Sequence, residues 1–255
     1  MKGNDTATDG SADSPPIGIN PRLDLQLIAK VYRSAGRVHI PDFFDSPTAT
    51  RIYQCLTNET PWQIVFHDGT KDRELAVTSL AELAVADRDR WQTLVDHAAG
   101  EGFSYRYSNF RLFENYQNGV HREFWLMRLL EYMNAPFFRG LMRQITGDAA
   151  IDYADAQATM YRAGDFLNRH DDDVAGKHRR AAYVLSFTPT WKTDWGGLLA
   201  FPDRYGHVAE AYAPTFNALN LFRVPMLHAV TQVSSFAGGP RYSITGWLRQ
   251  SPAAG

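Results

Sequence analysis

The chain has 255 residues, of which 44% are hydrophobic and 21% charged, so a sizeable core is possible and global disorder is excluded. Its net charge is −2 and its pI near 6.4, which leaves no basic footprint for nucleic acid or for an anionic membrane surface. Cys55 is the sole cysteine, which excludes an internal disulfide and a multi-cysteine zinc site.

Residues 1–17 are rich in Gly, Ser, Asp and Pro and are expected to be a disordered tail. They lack the basic and apolar regions of a signal peptide, and no apolar run approaches a membrane span; a cytoplasmic protein is expected. Residues 18–255 read as a single domain. Leu25, Leu27, Ile28, Val31 and Tyr32 recur at helical spacing up to a stop at Gly36. Arg37–Ile40 reads as a short strand. A second helix starts at Ser46 as N-cap, with Pro47 at its first position, and buries Ile52, Cys55 and Leu56. Trp62–Phe66 reads as a strand, His67–Thr70 as a turn, and Thr78–Ala99 as a helix. The aromatic stretch Phe103–Leu112 fits no element clearly. Phe124–Gly147 holds two helices broken near Pro136.

Past Ile151 the pattern changes. Ala158–Tyr161, Arg179–Phe187, Trp195–Pro202, Asn217–Val224 and Pro240–Leu248 read as short strands separated by Gly and Pro. The fold class is therefore α+β, mainly β, with N-terminal helices packed on a sandwich or barrel core over about 150–250.

Within that core, His170 and Asp172 flank Asp171, and His228 and Arg241 follow. On one strand, residues two apart share a face, so His170 and Asp172 can grip one ion while Asp171 points away. Two histidines and a carboxylate with open positions form the facial triad of non-haem iron oxygenases. The short motif is common by chance; its weight comes from its setting. A planar guanidinium at Arg241 suits an acidic cosubstrate, which it can bond through two parallel N–H groups.

Taken together, Tyr161 through Asp172, Arg179–Leu185, Trp195–Leu198, His228–Val230 and Arg241–Trp247 resemble the Fe(II)- and 2-oxoglutarate-dependent dioxygenases. Within these the likeness is to the prolyl-4-hydroxylase-like group, and closest to the catalytic domain of ribosomal prolyl hydroxylases. The resemblance covers about 152–249; the N-terminal part matches loosely through Pro41–Phe44. It implies a double-stranded β-helix of jelly-roll or cupin type, two antiparallel sheets with the metal at the mouth. It implies His170, Asp172 and His228 as iron ligands and Arg241 as the anchor of the distal carboxylate of 2-oxoglutarate. Thr245 or Ser243, at period two from Arg241, would add a hydroxyl bond, and Tyr161 would offer its hydroxyl to the same cosubstrate. The implied cofactors are Fe(II), 2-oxoglutarate and dioxygen, with ascorbate as an accessory.

The implied reaction is hydroxylation of a C–H bond, foremost in a prolyl residue of a protein, with succinate and carbon dioxide as coproducts. A free amino acid or small metabolite is the alternative substrate. A non-enzymatic binding module and a zinc hydrolase are the other readings; the intact triad with Arg241 argues against the first, and the lack of a nearby general-base glutamate against the second. Two departures stand out: twelve residues separate His228 from Arg241, slightly more than usual, and the chain has no room for the second domain of the eukaryotic ribosomal enzymes. Substrate-facing positions are expected around Tyr105–Phe110, Asp173–Lys177 and Trp191–Trp195. His39, His67, His97, His121, His178 and His207 read as surface or structural, Tyr183 as core, Trp247 as site wall, and Arg179–Arg180 as a solvated strand start.

Overall fold

The computed structural model describes residues 16–82 and 84–252. The tail expected over 1–17 lies outside these except at its end, where Ile17 already packs on the core.

The N-terminal half runs α1 (Leu25–Ala35), β1 (Arg37–Ile40), α2 (Ser46–Gln54), β2 (Gln63–His67), β3 (Asp72–Ala76), α3 (Val77–Glu82), α4 (Val85–Glu101), β4 (Tyr105–Phe110), α5 (Leu112–Gln117), α6 (Trp125–Met133) and α7 (Pro136–Thr146). The C-terminal half is β5 (Tyr153–Ala154), β6 (Gln157–Tyr161), β7 (Phe166–His170), β8 (Arg179–Ser186), β9 (Leu199–Pro202), β10 (Val208–Tyr212), β11 (Ala218–Arg223), β12 (His228–Val230) and β13 (Arg241–Arg249).

Local chemistry sets the helix ends. Asp24 caps α1 by accepting from the backbone N–H of Gln26 and Leu27, and Gly36 closes it at φ 72°, a left-handed position that glycine takes without strain. The cap of α2 is Asp45, not Ser46: its carboxylate accepts the N–H of Thr48, which moves Ser46 and Pro47 into the first turn. The single helix expected over Thr78–Ala99 is two, α3 and α4. The unassigned aromatic stretch is β4, which pairs with β2, β6 and β7.

The ladder runs β1-β11-β8-β13-β6-β4-β7-β12-β9-β10, with β2 and β3 branching from β4 and β5 lying on β13; every pairing is antiparallel. The sheet curls into a nearly closed barrel, and period-two alternation divides its faces. Ala181 and Leu185 of β8 and Ile244 and Leu248 of β13 join a core with Leu126, Leu129 and Met133 of α6 and Phe138 of α7. Ala182, Val184, Thr245 and Trp247 from the same two strands line the interior instead. Both faces of β8 are covered, so it reads as an apolar run rather than an alternating one. Each large aliphatic side chain buried under the helices contributes roughly 1.5–3 kcal/mol, and that core backs the wall carrying Arg241.

Candidate active site

The curled sheet encloses a cavity of about 650 Å³ lined by His170, Asp172, His228, Arg241, Tyr161, Thr245 and Trp247, among others. His170 ends β7 and His228 begins β12, and the antiparallel register sets them directly opposite. Their ring centroids are 4.0 Å apart. Asp172 reaches them by a different route from the one its spacing suggests. Strand β7 stops at His170, and Asp172 lies beyond it at φ 65°, in the left-handed region. A left-handed turn, not strand alternation, brings the carboxylate to the imidazoles: Oδ1 is 3.5 Å from Nε2 of His170 and Oδ2 is 3.3 Å from Nε2 of His228. One donor atom from each of these three residues falls within 4.8 Å of the others. Among the described residues no other histidine joins such a group.

The donor set suits a divalent transition metal. Nδ1 of His170 is 2.9 Å from the carbonyl of Asn168, and Nδ1 of His228 is 2.8 Å from that of Met226. A carbonyl can only accept, so each Nδ1 carries a proton and each Nε2 is left facing Asp172. Burial, then repulsion from His170, pushes His228 down to about 4, so it is neutral at pH 7. Burial opposes ionisation of Asp172, but His170 and His228 outweigh it and hold the carboxyl below its ordinary range. Two imidazole Nε2 atoms and one carboxylate thus face one another.

Arg241 is 2% exposed, and its Nε and one Nη have no hydrogen-bond partner among the described residues. A fully desolvated guanidinium with idle donors is costly unless an anion completes it. Its cross-strand neighbour is Tyr161, whose ring lies 5.1 Å from the guanidinium carbon and stacks on Tyr107 at 5.0 Å and 17°. Thr245 lines the cavity. Ser243 does not: it is fully buried and its hydroxyl pairs with that of Thr159 at 2.9 Å, so the shared face expected for Arg241, Ser243 and Thr245 delivers only Thr245 beside the arginine.

Around the mouth stand Phe103, Tyr105, Tyr107, Asp171 and Val174. Asp173, by contrast, is exposed, and its N–H is held by the Asp171 carboxylate at 3.1 Å. Of the Trp191–Trp195 stretch, Trp191 packs behind the site against Tyr161 and Val233, and its indole N–H donates to the carbonyl of Gly196. Gly196 has φ 66°, and a Cβ there would meet the carbonyl oxygen of Gln232 at 2.1 Å, which explains the glycine. Tyr183 is buried and donates to the carbonyl of Asp155 at 2.6 Å. Arg179 was not legible as a site residue. It is not a solvated strand start: it lines the cavity and stacks on Trp247, whereas Arg180 pairs with Asp148 outside. Period two from Ala181, which faces the helices, would turn Arg179 away from the cavity; the register irregularity between their two pairings with β13 breaks that alternation.

Residues 156–249 match the family model described as the 2OG-Fe(II) oxygenase superfamily. That match spans the strand core that carries the site, from just before β6 to the end of β13. The chain is 31% identical over 118 residues to "Prolyl 3-hydroxylase OGFOD1" of Mus musculus, covering 44% of this chain and 21% of that protein. It is 29% identical over 137 residues to "Prolyl 3,4-dihydroxylase OGFOD1" of Ostreococcus tauri, covering 48% and 26%. It thus spans about a fifth to a quarter of the curated relatives it matches. A solved Trichoplax adhaerens prolyl hydroxylase, in complex with a hypoxia inducible factor peptide fragment, superposes with a TM-score of 0.58 at 18% identity over 89% of each chain. A Pseudomonas putida prolyl-4-hydroxylase superposes at 0.51 and 16% identity, covering 89% of this chain and 100% of that one. These structures share the fold, so the mainly-β jelly-roll core with packed helices expected from the resemblance stands.

Proposed function

We propose that this chain is an Fe(II)- and 2-oxoglutarate-dependent dioxygenase that hydroxylates a prolyl residue of a protein. The observation that carries the reading is the buried, unpartnered Arg241 in the same cavity as His170, Asp172 and His228. His170, Asp172 and His228 hold the iron. Arg241 takes the distal carboxylate of 2-oxoglutarate, with Thr245 as a second donor and Tyr161 as the aromatic bed of the guanidinium. When bound, the iron with 2-oxoglutarate and dioxygen supplies the oxidation: one oxygen atom enters the substrate C–H bond, the other enters succinate, and carbon dioxide leaves. The chain supplies imidazole donors, the charge that orients the cosubstrate, and walls of Leu199, Phe222 and Val230 that exclude water. Ascorbate acts as the reductant that keeps the iron divalent. A reducing cytoplasm suits that requirement and the lone buried thiol of Cys55.

A protein substrate is favoured by the shape of the mouth. The cavity adjoins two further depressions of about 320 and 160 Å³, and Arg111 and Glu114 line all three. A trough of that form accepts an extended segment, whereas a free amino acid needs only the central cavity. The prolyl hydroxylase names of the relatives support the target residue. The test is incubation of a proteome with the protein, Fe(II), 2-oxoglutarate and ascorbate, with His170→Ala as control. A mass gain of one oxygen on a proline-bearing peptide, with succinate formed and neither seen with the variant, is expected. Succinate formation driven only by low-molecular-mass extract would move the substrate to a small metabolite.

A further inference from the structure

Asp172 is the one member of the candidate metal set that no strand holds: His170 and His228 sit in β7 and β12, whereas Asp172 lies two residues past β7 with φ 65°. Strand geometry therefore does not aim its carboxylate. Arg179, the first residue of β8, does contact it twice. One Nη donates to the main-chain carbonyl of Asp172 at 3.1 Å and stands 3.5 Å from Oδ1 of the same residue. The guanidinium carbon lies 3.5 Å from the ring centroid of Trp247, the distance of direct stacking. Trp247 belongs to β13, which pairs with β8 along its length, so the indole is fixed by the sheet. The loop between Asp172 and Arg179 is tied a second time: Arg249, paired with Asp155 at 3.0 Å, donates to the carbonyl of Lys177 at 2.8 Å.

We propose that Arg179 is a positioning residue for the metal centre: it locks the left-handed turn at Asp172 and aims the carboxylate at the Nε2 atoms of His170 and His228, with the indole of Trp247 as its bearing surface. The proposal rests on the metal-centre reading given above. The geometry calls for arginine, because one planar group must reach a carbonyl and a carboxylate while lying flat on an indole; the compact ammonium of lysine meets the charge alone. Groups that orient metal ligands from outside are worth about 10–100-fold in metal affinity.

The test uses Co(II), a spectroscopically visible substitute for Fe(II), titrated into the full chain without substrate. Binding is followed by calorimetry and by the visible absorption bands that report ligand geometry. Arg179→Ala is expected to bind ~10–100-fold more weakly and to shift the bands, and Arg179→Lys to recover only part of the affinity. If Arg179→Ala does not fold, Arg179→Lys, which keeps charge and bulk, carries the test with a loss of about tenfold. A folded Arg179 variant with wild-type affinity and an unchanged spectrum overturns the proposal and leaves the metal centre standing. A wild-type chain that binds no Co(II) overturns the metal-centre reading, and this inference with it.

Discussion

Asp172 sits at φ 65°, where a side chain with a Cβ is disfavoured and Asp and Asn are the least penalised after glycine. Asp172→Asn should therefore keep the turn and lose the charge, whereas Asp172→Ala should lose about 1–2 kcal/mol more stability from the backbone alone. Thermal melts of the metal-free proteins check this; equal melting points would mean that the turn is not under strain. Arg241 gives the opposite sign. Its idle buried donors make it a burden without a bound anion, so Arg241→Met should leave the ligand-free protein at least as stable and abolish stabilisation by 2-oxoglutarate. Loss of several kcal/mol in that variant would show that Arg241 is needed for the fold itself. His228 makes metal-free stability depend on pH. The unfolded chain protonates it near 6.5, but the folded protein keeps it neutral down to about 4. Between those values the unfolded state binds the extra proton, so the contribution is full above 6.5 and is lost as pH falls toward 4. Urea midpoints at pH 7 and pH 5 should fall for the wild type and fall less for His228→Asn; equal slopes would remove His228 from the account.

At the level of elements, the cap of α2 gives a sharp comparison. Asp45→Ala should cost about 1 kcal/mol by orphaning the N–H of Thr48, while Ser46→Ala, one residue on, should cost little; urea unfolding separates the two. Adjacent Asp and Ser both make good caps, and only the backbone decides between them. The same limit explains what was legible along the chain. Helices α1, α6 and α7 show in the sequence because their apolar spacing, Pro136 and Gly36 are local signals. Strand β3 does not, because Asp72, Arg73 and Glu74 are exposed on a strand whose one partner is β2. Strand β4 carries aromatic and polar residues buried on both faces, so it lacks alternation. In the site, residue types and order announce His170, Asp172, His228 and Arg241. The register that sets His228 against His170, the left-handed turn at Asp172 and the inward course of Arg179 depend on pairings across 58 residues or on loop conformation, which local pattern does not encode.

For the molecule as a whole, the site and the fold are coupled because each candidate ligand belongs to a different part of the sheet. His170 ends β7, His228 begins β12, and Asp172 leads into β8 next to β13. An unfolded chain scatters these groups, so a metal that binds them all binds the native state and stabilises it by mass action. At a hundredfold excess over its dissociation constant the gain is about 2.7 kcal/mol. In a chain of this length each kcal/mol moves the melting point by about 2–4 °C, so Mn(II), a redox-stable stand-in for Fe(II), should raise it by about 5–11 °C, reversibly with a chelator. 2-Oxoglutarate should add a further rise only when the metal is present, because its keto acid end needs the metal while Arg241 holds the other end. His170→Ala should abolish both rises, and Arg241→Met only the second. A rise with 2-oxoglutarate alone, equal with and without Mn(II), would mean that Arg241 binds the dicarboxylate independently of the histidines, and the cavity would then hold two separate sites instead of one joined centre.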